Sequence, residues 1–192
     1  WVELENAPCG GLCAKDALVD ISVPETKTQT YERVTVDMVP QIVEDHLINS
    51  KPVEKWLAKH DYHNFHAHQE RLVLGNCGVI NPEEIDEYLI KGGYKALEKI
   101  LAGMSPQDVI AEISNSGLRG RGGGGFETGW KWESCAKYDD DEKYIICNGD
   151  EGDPGAFMDR SIMEGDPHAL LEGMVIGGYA NGATSGYIYV RA

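Results

Sequence analysis

Hydrophobic and polar positions along this chain follow two periods in turn. Val19-Asp-Ile-Ser-Val23 has the apolar–polar alternation of a half-buried strand, and Pro24 ends it. Residues 35–47 change to a helical period, with Val39, Ile42, Val43 and His46 or Leu47 on one apolar stripe. Residues 59–70 are polar and aperiodic, which predicts a linker. Arg71-Leu-Val-Leu74 predicts a short strand or extended lead-in. Three helices then follow. The first opens at Asn81-Pro-Glu-Glu84, with a capping residue, Pro at the first helical position and acids in the first turn, and stops at Gly92-Gly93. The second covers residues 94–101, and the third runs from Ser105-Pro-Gln-Asp108 to Gly117. Residues 143–148 read as a buried strand, 167–180 as a helix apolar on most faces, and 185–190 as a second core strand. Strand, helix and strand in that order predict an α/β fold with a parallel sheet.

Composition narrows the function classes. The 192 residues are 42% hydrophobic and 26% charged, which suits one or two globular domains. A formal net charge of −15 speaks against nucleic acid and anionic membrane surfaces, because both are bound through Lys and Arg. No apolar run approaches the ~20 residues that span a bilayer. No signal peptide is visible, and five unevenly spaced cysteines do not suit a disulfide framework, so a cytoplasmic setting is expected. The chain starts without Met and stops directly after a strand, which reads as a fragment of a larger subunit.

The chemistry concentrates in two segments. In the thirteen residues from Gly117 to Gly129, seven are glycine, and Lys131 follows closely. Glycine removes the Cβ and opens positive φ, so successive bare N–H groups can converge on an anion. The run departs from P-loop spacing. It contains Gly120-x-Gly122-x-x-Gly125, the dinucleotide fingerprint, but follows a helix where that fingerprint requires a strand. The bland alternative is a flexible linker, yet linkers are poor in aromatics and this run is flanked by Phe126, Trp130 and Trp132. The second segment is residues 148–155, Asn-Gly-Asp-Glu-Gly-Asp-Pro-Gly, at the C-terminal end of a predicted strand, where open α/β sheets bind ligands. Its acids would repel phosphate but can accept hydrogen bonds from polyol hydroxyls or ring N–H groups. An acidic surface turn and a divalent-metal site are the other readings of this segment. A ligand with a phosphate end and a polyol or heterocycle end, such as flavin mononucleotide, fits both segments.

These residues resemble a known family. Gly120-Arg-Gly-Gly-Gly-Gly-Phe-Glu-Thr-Gly-Trp-Lys-Trp132, with Asn148-Gly-Asp-Glu-Gly-Asp-Pro-Gly-Ala-Phe-Met-Asp-Arg160, is similar to the FMN- and NADH-binding subunit of respiratory complex I. The same module occurs in soluble NAD(P)-linked hydrogenases and formate dehydrogenases. Ile162-Met-Glu-Gly-Asp-Pro-His168 and Gly186-Tyr-Ile-Tyr-Val-Arg191 continue the match, which covers roughly residues 70–192. The resemblance implies that Gly120, Arg121, Gly122, Gly123 and Lys131 hold the FMN phosphate side. It implies that Asn148, Asp150 and Glu151 hold ribityl and ring edges, and that Phe126 stacks near the nicotinamide of NAD(H) or NADP(H). Asp153 stands where the family more often has Glu near the NADH.

Cys9-Gly-Gly-Leu-Cys13 is a C-x3-C pair, a spacing at which two soft thiolates can share one metal centre. Followed by the strand at residues 19–23, Tyr31 and a helix through Ile42 and His46, it resembles the second half of a thioredoxin-like [2Fe–2S] domain. That implies Cys9 and Cys13 as two of four cluster ligands. The domains expected are a C-terminal part of a thioredoxin-like domain over residues 1–58, a linker over 59–70, and the N-terminal part of a Rossmann-like FMN/NADH-binding domain over 71–192. The combination resembles the flavoprotein subunit of NAD(P)-reducing or electron-bifurcating [FeFe] hydrogenases. It implies [4Fe–4S] clusters elsewhere in the subunit. The implied partners are a hydrogenase catalytic subunit, a small thioredoxin-like [2Fe–2S] subunit and ferredoxin, with no nucleic acid or membrane. The formate dehydrogenase subunit, the flavoprotein arm of complex I, a flavin-free electron-transfer scaffold and a plain phosphate- or metal-binding module are the rivals. Cys147 on its strand, the tryptophans, Tyr187 and Tyr189 read as core or interface. His60, His63, His66 and His68 read as a solvated linker or a zinc site.

Overall fold

The computed structural model describes residues 2–7, 15–59, 64–65 and 67–191. Cys9 and Cys13 lie outside them, as do His60, His63 and His66. The chain divides into two compact units, the first of residues 9–75 and the second of residues 76–192 together with residues 1–8.

The first unit is small. Strand β1 (Val19–Ile21) pairs antiparallel with β2 (Gln29–Tyr31), Val19 opposite Tyr31. Helix α1 (Val39–Ile42) runs directly into a π-helical turn, Val43–Ile48. A 3-10 turn (Glu54–Trp56) then returns the chain so that Leu57 bridges to Tyr31. Ile21, Tyr31, Ile42 and Val53 are buried together, with Met38, Leu47, Trp56 and Leu57 packed around them. The expected apolar stripe is only partly inward. Ile42 and His46 are buried, whereas Val39 and Val43 are 45% and 38% exposed. The wider π turn rotates later residues away from a regular 3.6-residue stripe.

A buried polar pair anchors this unit. The Tyr31 hydroxyl accepts the Val53 amide at 3.0 Å and lies 3.0 Å from His46 Nδ1. A hydroxyl that accepts one amide still has a proton to give, and a neutral His46 with Nδ1 unprotonated can take it. Burial holds the imidazole below its ordinary value near 6.5. The unfolded chain therefore takes up the proton first, and this unit loses stability as pH falls below about 6.5. The urea midpoint is expected to drop between pH 7.5 and 5.5, with a weaker pH dependence in His46→Gln. An unchanged dependence in that variant would show that His46 carries none of it.

The expected short strand or extended lead-in over residues 71–74 is absent; residues 72–74 form a bend and a turn, and the second unit begins after them. Leu72 is 80% exposed, and without a ladder partner the short apolar run has nothing to hold it extended. Helix α2 (Ile85–Ile90) begins later than expected at Asn81. The Asn81 Oδ1 instead accepts the Glu83 amide, and the Glu87 carboxylate accepts the Asn81 amide, so side chains hold a turn ahead of the helix. A Cβ at Gly93 would run into the Tyr88 ring, which is why glycine follows this helix. Helices α3 (Lys95–Leu101) and α4 (Pro106–Ser116) follow, the latter opened by a Ser105–Asp108 capping box and closed by Gly117 at φ +68°.

Helix α5 (Thr128–Ala136) comes directly after the glycine run, and α6 (Met158–Gly165) after the acidic segment; neither was expected from the sequence. Strand β3 (Tyr144–Gly149) and β4 (Ser185–Val190) pair in parallel, Cys147 opposite Ile188, and α7 (Pro167–Asn181) makes the crossover. Ile100, Val109, Ile110 and Ala180 form the core, with Trp132, Ile176 and Tyr179 packed on it. The space at Gly177 is filled by Trp132 and Ile145, which ties α5, α7 and β3 together.

The strand β4 is not a core strand in this structure: all six of its residues are exposed. It pairs only with β3 among the described residues, and α7 reaches it through Met174 at Gly186. Of the residues expected in core or interface, Tyr187 and Tyr189 are 59% and 57% exposed and Trp130 is 57% exposed, so these three are not core; Trp56 and Trp132 are packed against core residues. Cys147 is half-buried, and burial first, then the Asp159 charge, pushes its thiol up.

Candidate functional site

The glycine run is an open loop with a closed base. Arg119 and Glu127 form a β-bridge, with the Gly120 amide donating to Phe126 O at 2.8 Å and the Thr128 amide to Leu118 O at 2.9 Å. The Arg119 guanidinium adds a second clasp, donating to Gly125 O at 3.0 Å and pairing with the Glu127 carboxylate at 2.8 Å. Neither Arg119 nor Glu127 stood out in the sequence, although they bracket the glycines symmetrically. Between the clasps, no acceptor among the described residues takes the main-chain amides of residues 122–125. Gly123 and Gly125 have φ +94° and +60°, and a Cβ at Gly122, Gly123 or Gly125 would meet nothing within 4 Å. Four adjacent amides without such partners, in the loop ahead of α5, are available as donors for an anion. This is what a phosphate group requires, so the loop fits the phosphate end of FMN.

Gly129 is different in kind. A Cβ there would run into Ser114, so this glycine exists to let α5 pack on α4. On the outer side of α5, Phe126 and Trp130 stack with centroids 6.4 Å apart, and Lys131 Nζ lies 5.3 Å from the Phe126 ring. Phe126 is 58% exposed, which leaves a ring face available to a planar ligand. Arg121 is exposed within the loop.

The acidic segment leaves the C-terminal end of β3. The Asn148 Oδ1 accepts the Asp150 amide at 3.1 Å, and Arg191 at the end of β4 donates to Gly152 O at 3.1 Å. Glu151 has φ +46°, an unusual conformation for a residue with a side chain. Its carboxylate accepts the amides of Asp159 and Arg160 at 2.7 and 3.0 Å. Neither Asp150 nor Asp153 has a hydrogen-bond or ion-pair partner for its carboxylate among the described residues. The Asp159 carboxyl is raised by burial first and then by the Glu151 charge. Among the described residues no group of three or more His, Cys, Asp or Glu side chains is gathered for a metal ion, so the divalent-metal reading has no support here. The glycine loop and the acidic segment belong to one unit, but among the described residues no hydrogen bond or ion pair joins them.

A third polar centre was not visible in the sequence. Glu172, buried on α7, accepts the Tyr88 hydroxyl at 2.5 Å and the amides of Tyr94 and Leu97 at 2.8 and 3.0 Å. Tyr94 in turn bonds His168 Nδ1 at 2.9 Å, and His168 stacks on Tyr88. Burial alone would raise Glu172; the bonds from Tyr88, Tyr94, Leu97 and Ala96 outweigh it and hold the carboxyl below its ordinary range. Burial, then Glu172, pushes the Tyr88 phenol far up. This centre fixes helix positions.

Residues 113–192 match a family model described as the Nuo51 FMN-binding domain. The HndC component of an NADP-reducing hydrogenase from Solidesulfovibrio fructosivorans is 53% identical over 124 residues, 65% of this chain and 25% of that protein. An NADH-quinone oxidoreductase component from Aquifex aeolicus is 54% identical over 107 residues, covering 56% of this chain and 25% of that one. The corresponding NADH-quinone oxidoreductase component from Rhizobium meliloti is 45% identical over 122 residues, 64% of this chain and 29% of its own length. The chain thus spans about a quarter of the length of these relatives. A solved NAD+-reducing [NiFe]-hydrogenase in the air-oxidized state has a similar fold. Its TM-score is 0.50 at 24% identity, over 96% of this chain and 29% of that one. By sequence, then, the chain resembles the hydrogenase and NADH-quinone oxidoreductase components named above, and the match to the FMN-binding domain family runs through its glycine loop and acidic segment.

Proposed function

We propose that this chain is part of an NAD(P)H:acceptor oxidoreductase flavoprotein subunit, the diaphorase of an NAD(P)-reducing or electron-bifurcating hydrogenase. The observation that carries the reading is the loop of residues 122–125. Its amides have no acceptor among the described residues, it lies just ahead of α5, and it falls within the stretch that matches FMN-binding domains. Gly122 and Gly123 supply main-chain donors for the phosphate, with Arg121 and Lys131 as nearby cations, while Gly120, whose amide is given to Phe126 O, holds the base of the loop. Asn148 and Asp150 offer groups for ribityl hydroxyls and ring N–H. Phe126 offers a stacking face for nicotinamide, and Asp153 a hydrogen-bond acceptor for the dinucleotide. FMN, when bound, supplies the conversion between a two-electron donor and one-electron acceptors; the protein positions it.

Residues 1–58 are proposed as the C-terminal part of a thioredoxin-like [2Fe–2S] domain, with Cys9 and Cys13 as ligands. The antiparallel β1–β2 pair and the helix behind it are compatible with that reading. A hydrogenase catalytic subunit and a small [2Fe–2S] subunit are the proposed partners, in the cytoplasm. No helix among the described residues is long and apolar enough to cross a membrane.

The test is cofactor analysis of the full-length protein purified without oxygen: absorbance, then acid release with flavin and iron quantified. FMN with several irons is the expected result. FMN without iron removes the cluster half of the proposal, iron without FMN demotes the chain to an electron-transfer scaffold, and neither overturns it.

A further inference from the structure

Glu151 stands in the middle of the acidic segment, where the flavin reading makes every polar group a candidate contact. Its side chain is already engaged. Each carboxylate oxygen accepts one amide from the first turn of α6, Asp159 at 2.7 Å and Arg160 at 3.0 Å. These are the second and third residues of that helix, whose preceding residue, Phe157, provides no side-chain cap. A carboxylate there satisfies two of the helix's orphan donors and meets the positive end of its dipole. The cap reaches over from the loop, six residues ahead of Phe157, and closes residues 151–159 into a ring. Two other ties hold the same stretch, from Asn148 to the Asp150 amide and from Arg191 to Gly152 O. Glu151 holds φ +46°, a conformation unusual for a residue with a side chain, at the point where its carboxylate meets α6. The proximity is visible in Asp159 too, whose carboxyl is raised by burial and then by the Glu151 charge.

We infer that Glu151 is a positioning residue of the flavin site: its carboxylate caps α6, and the cap fixes the loop that presents Asn148, Asp150 and Asp153 to the ligand. The inference rests on the flavin reading above. Asp150 and Asp153, whose carboxylates have no partner among the described residues, are then the acids that meet the ligand.

Glu151→Gln in the full-length protein is the test. Gln keeps the shape and one acceptor, but presents an NH2 to the other amide. The FMN dissociation constant is expected to rise about tenfold, the size of one charge-assisted hydrogen bond. At saturating FMN, the absorption maxima and midpoint potential of bound flavin stay as in the wild type. Amide exchange in flavin-free protein accelerates at Asp159 and Arg160. Asp150→Asn leaves exchange at those two amides unchanged. A shifted flavin potential in Glu151→Gln with unchanged exchange at Asp159 and Arg160 overturns the inference and makes Glu151 a flavin contact. So does wild-type protein in which those two amides exchange as fast as unprotected ones, a result that needs no variant. Wild-type protein that takes up no FMN sinks the flavin reading itself, and is distinguished by the exchange comparison, which is made without flavin.

Discussion

Gly123→Val is expected to abolish flavin binding in the full-length protein while leaving its thermal unfolding nearly unchanged. Gly123 has φ +94° and a Cβ there meets nothing within 4 Å, so the side chain clashes with no protein atom. The backbone conformation is nevertheless one that a β-branched residue resists at a cost of about 1–3 kcal/mol. An exposed loop escapes that cost by moving, and the donor set of residues 122–125 moves with it. The bulk also stands where phosphate must approach the amides. A flavin titration reads the effect: binding weakened by at least about 100-fold is expected from strain and exclusion together. Stoichiometric flavin in Gly123→Val would break the cradle assignment. Gly129→Val gives the contrast. Its Cβ runs into Ser114 between α4 and α5, so this variant loses the fold as well as the flavin.

Glu172→Leu is expected to destabilise the second unit by about 4 kcal/mol, because several donors lose one acceptor together. The Tyr88 hydroxyl and the amides of Tyr94 and Leu97 all point at this carboxylate, inside a region where water cannot replace it. Glu172→Gln keeps one acceptor oxygen and should cost roughly half as much. Unfolding midpoints in urea measure both. A Glu172→Leu protein as stable as the wild type would mean that the apolar gain offsets the broken network. The pH dependence has a definite sign. The folded carboxyl lies below the ordinary value of 4.5, so the folded state holds fewer protons than the unfolded chain. Its contribution is present above that value and is lost as pH falls through the folded pKa. Glu172→Gln removes this part of the acid sensitivity.

Local order was readable where the chain's own neighbours determine it. The Ser105–Asp108 box and Gly117 bound α4 as expected, because both caps are made within a turn of the helix end. Residues 185–190 form the expected strand, and the pairing with β3 is parallel, as a connection through a whole helix allows. The glycine loop was visible as chemistry because seven glycines have few structural uses at that density. Its clasp was not visible, since Arg119 and Glu127 meet only after the loop folds back.

The linear chain alone carries the α/β class and the two segments that hold the chemistry, and the motifs in those segments carry the likeness to FMN-binding subunits. Those properties are written in short-range pattern: hydrophobic period, turn residues and glycine density. Tertiary structure alone decided which glycine packs and which stays open, as Gly129 against Ser114 and Gly123 in solvent show. It also decided which acids are available. Glu151 and Asp150 are neighbours in sequence, but only the fold directs the first onto α6 and leaves the second without a partner among the described residues. Burial and hydrogen-bond partners depend on residues far apart along the chain, and a linear pattern does not encode those distances.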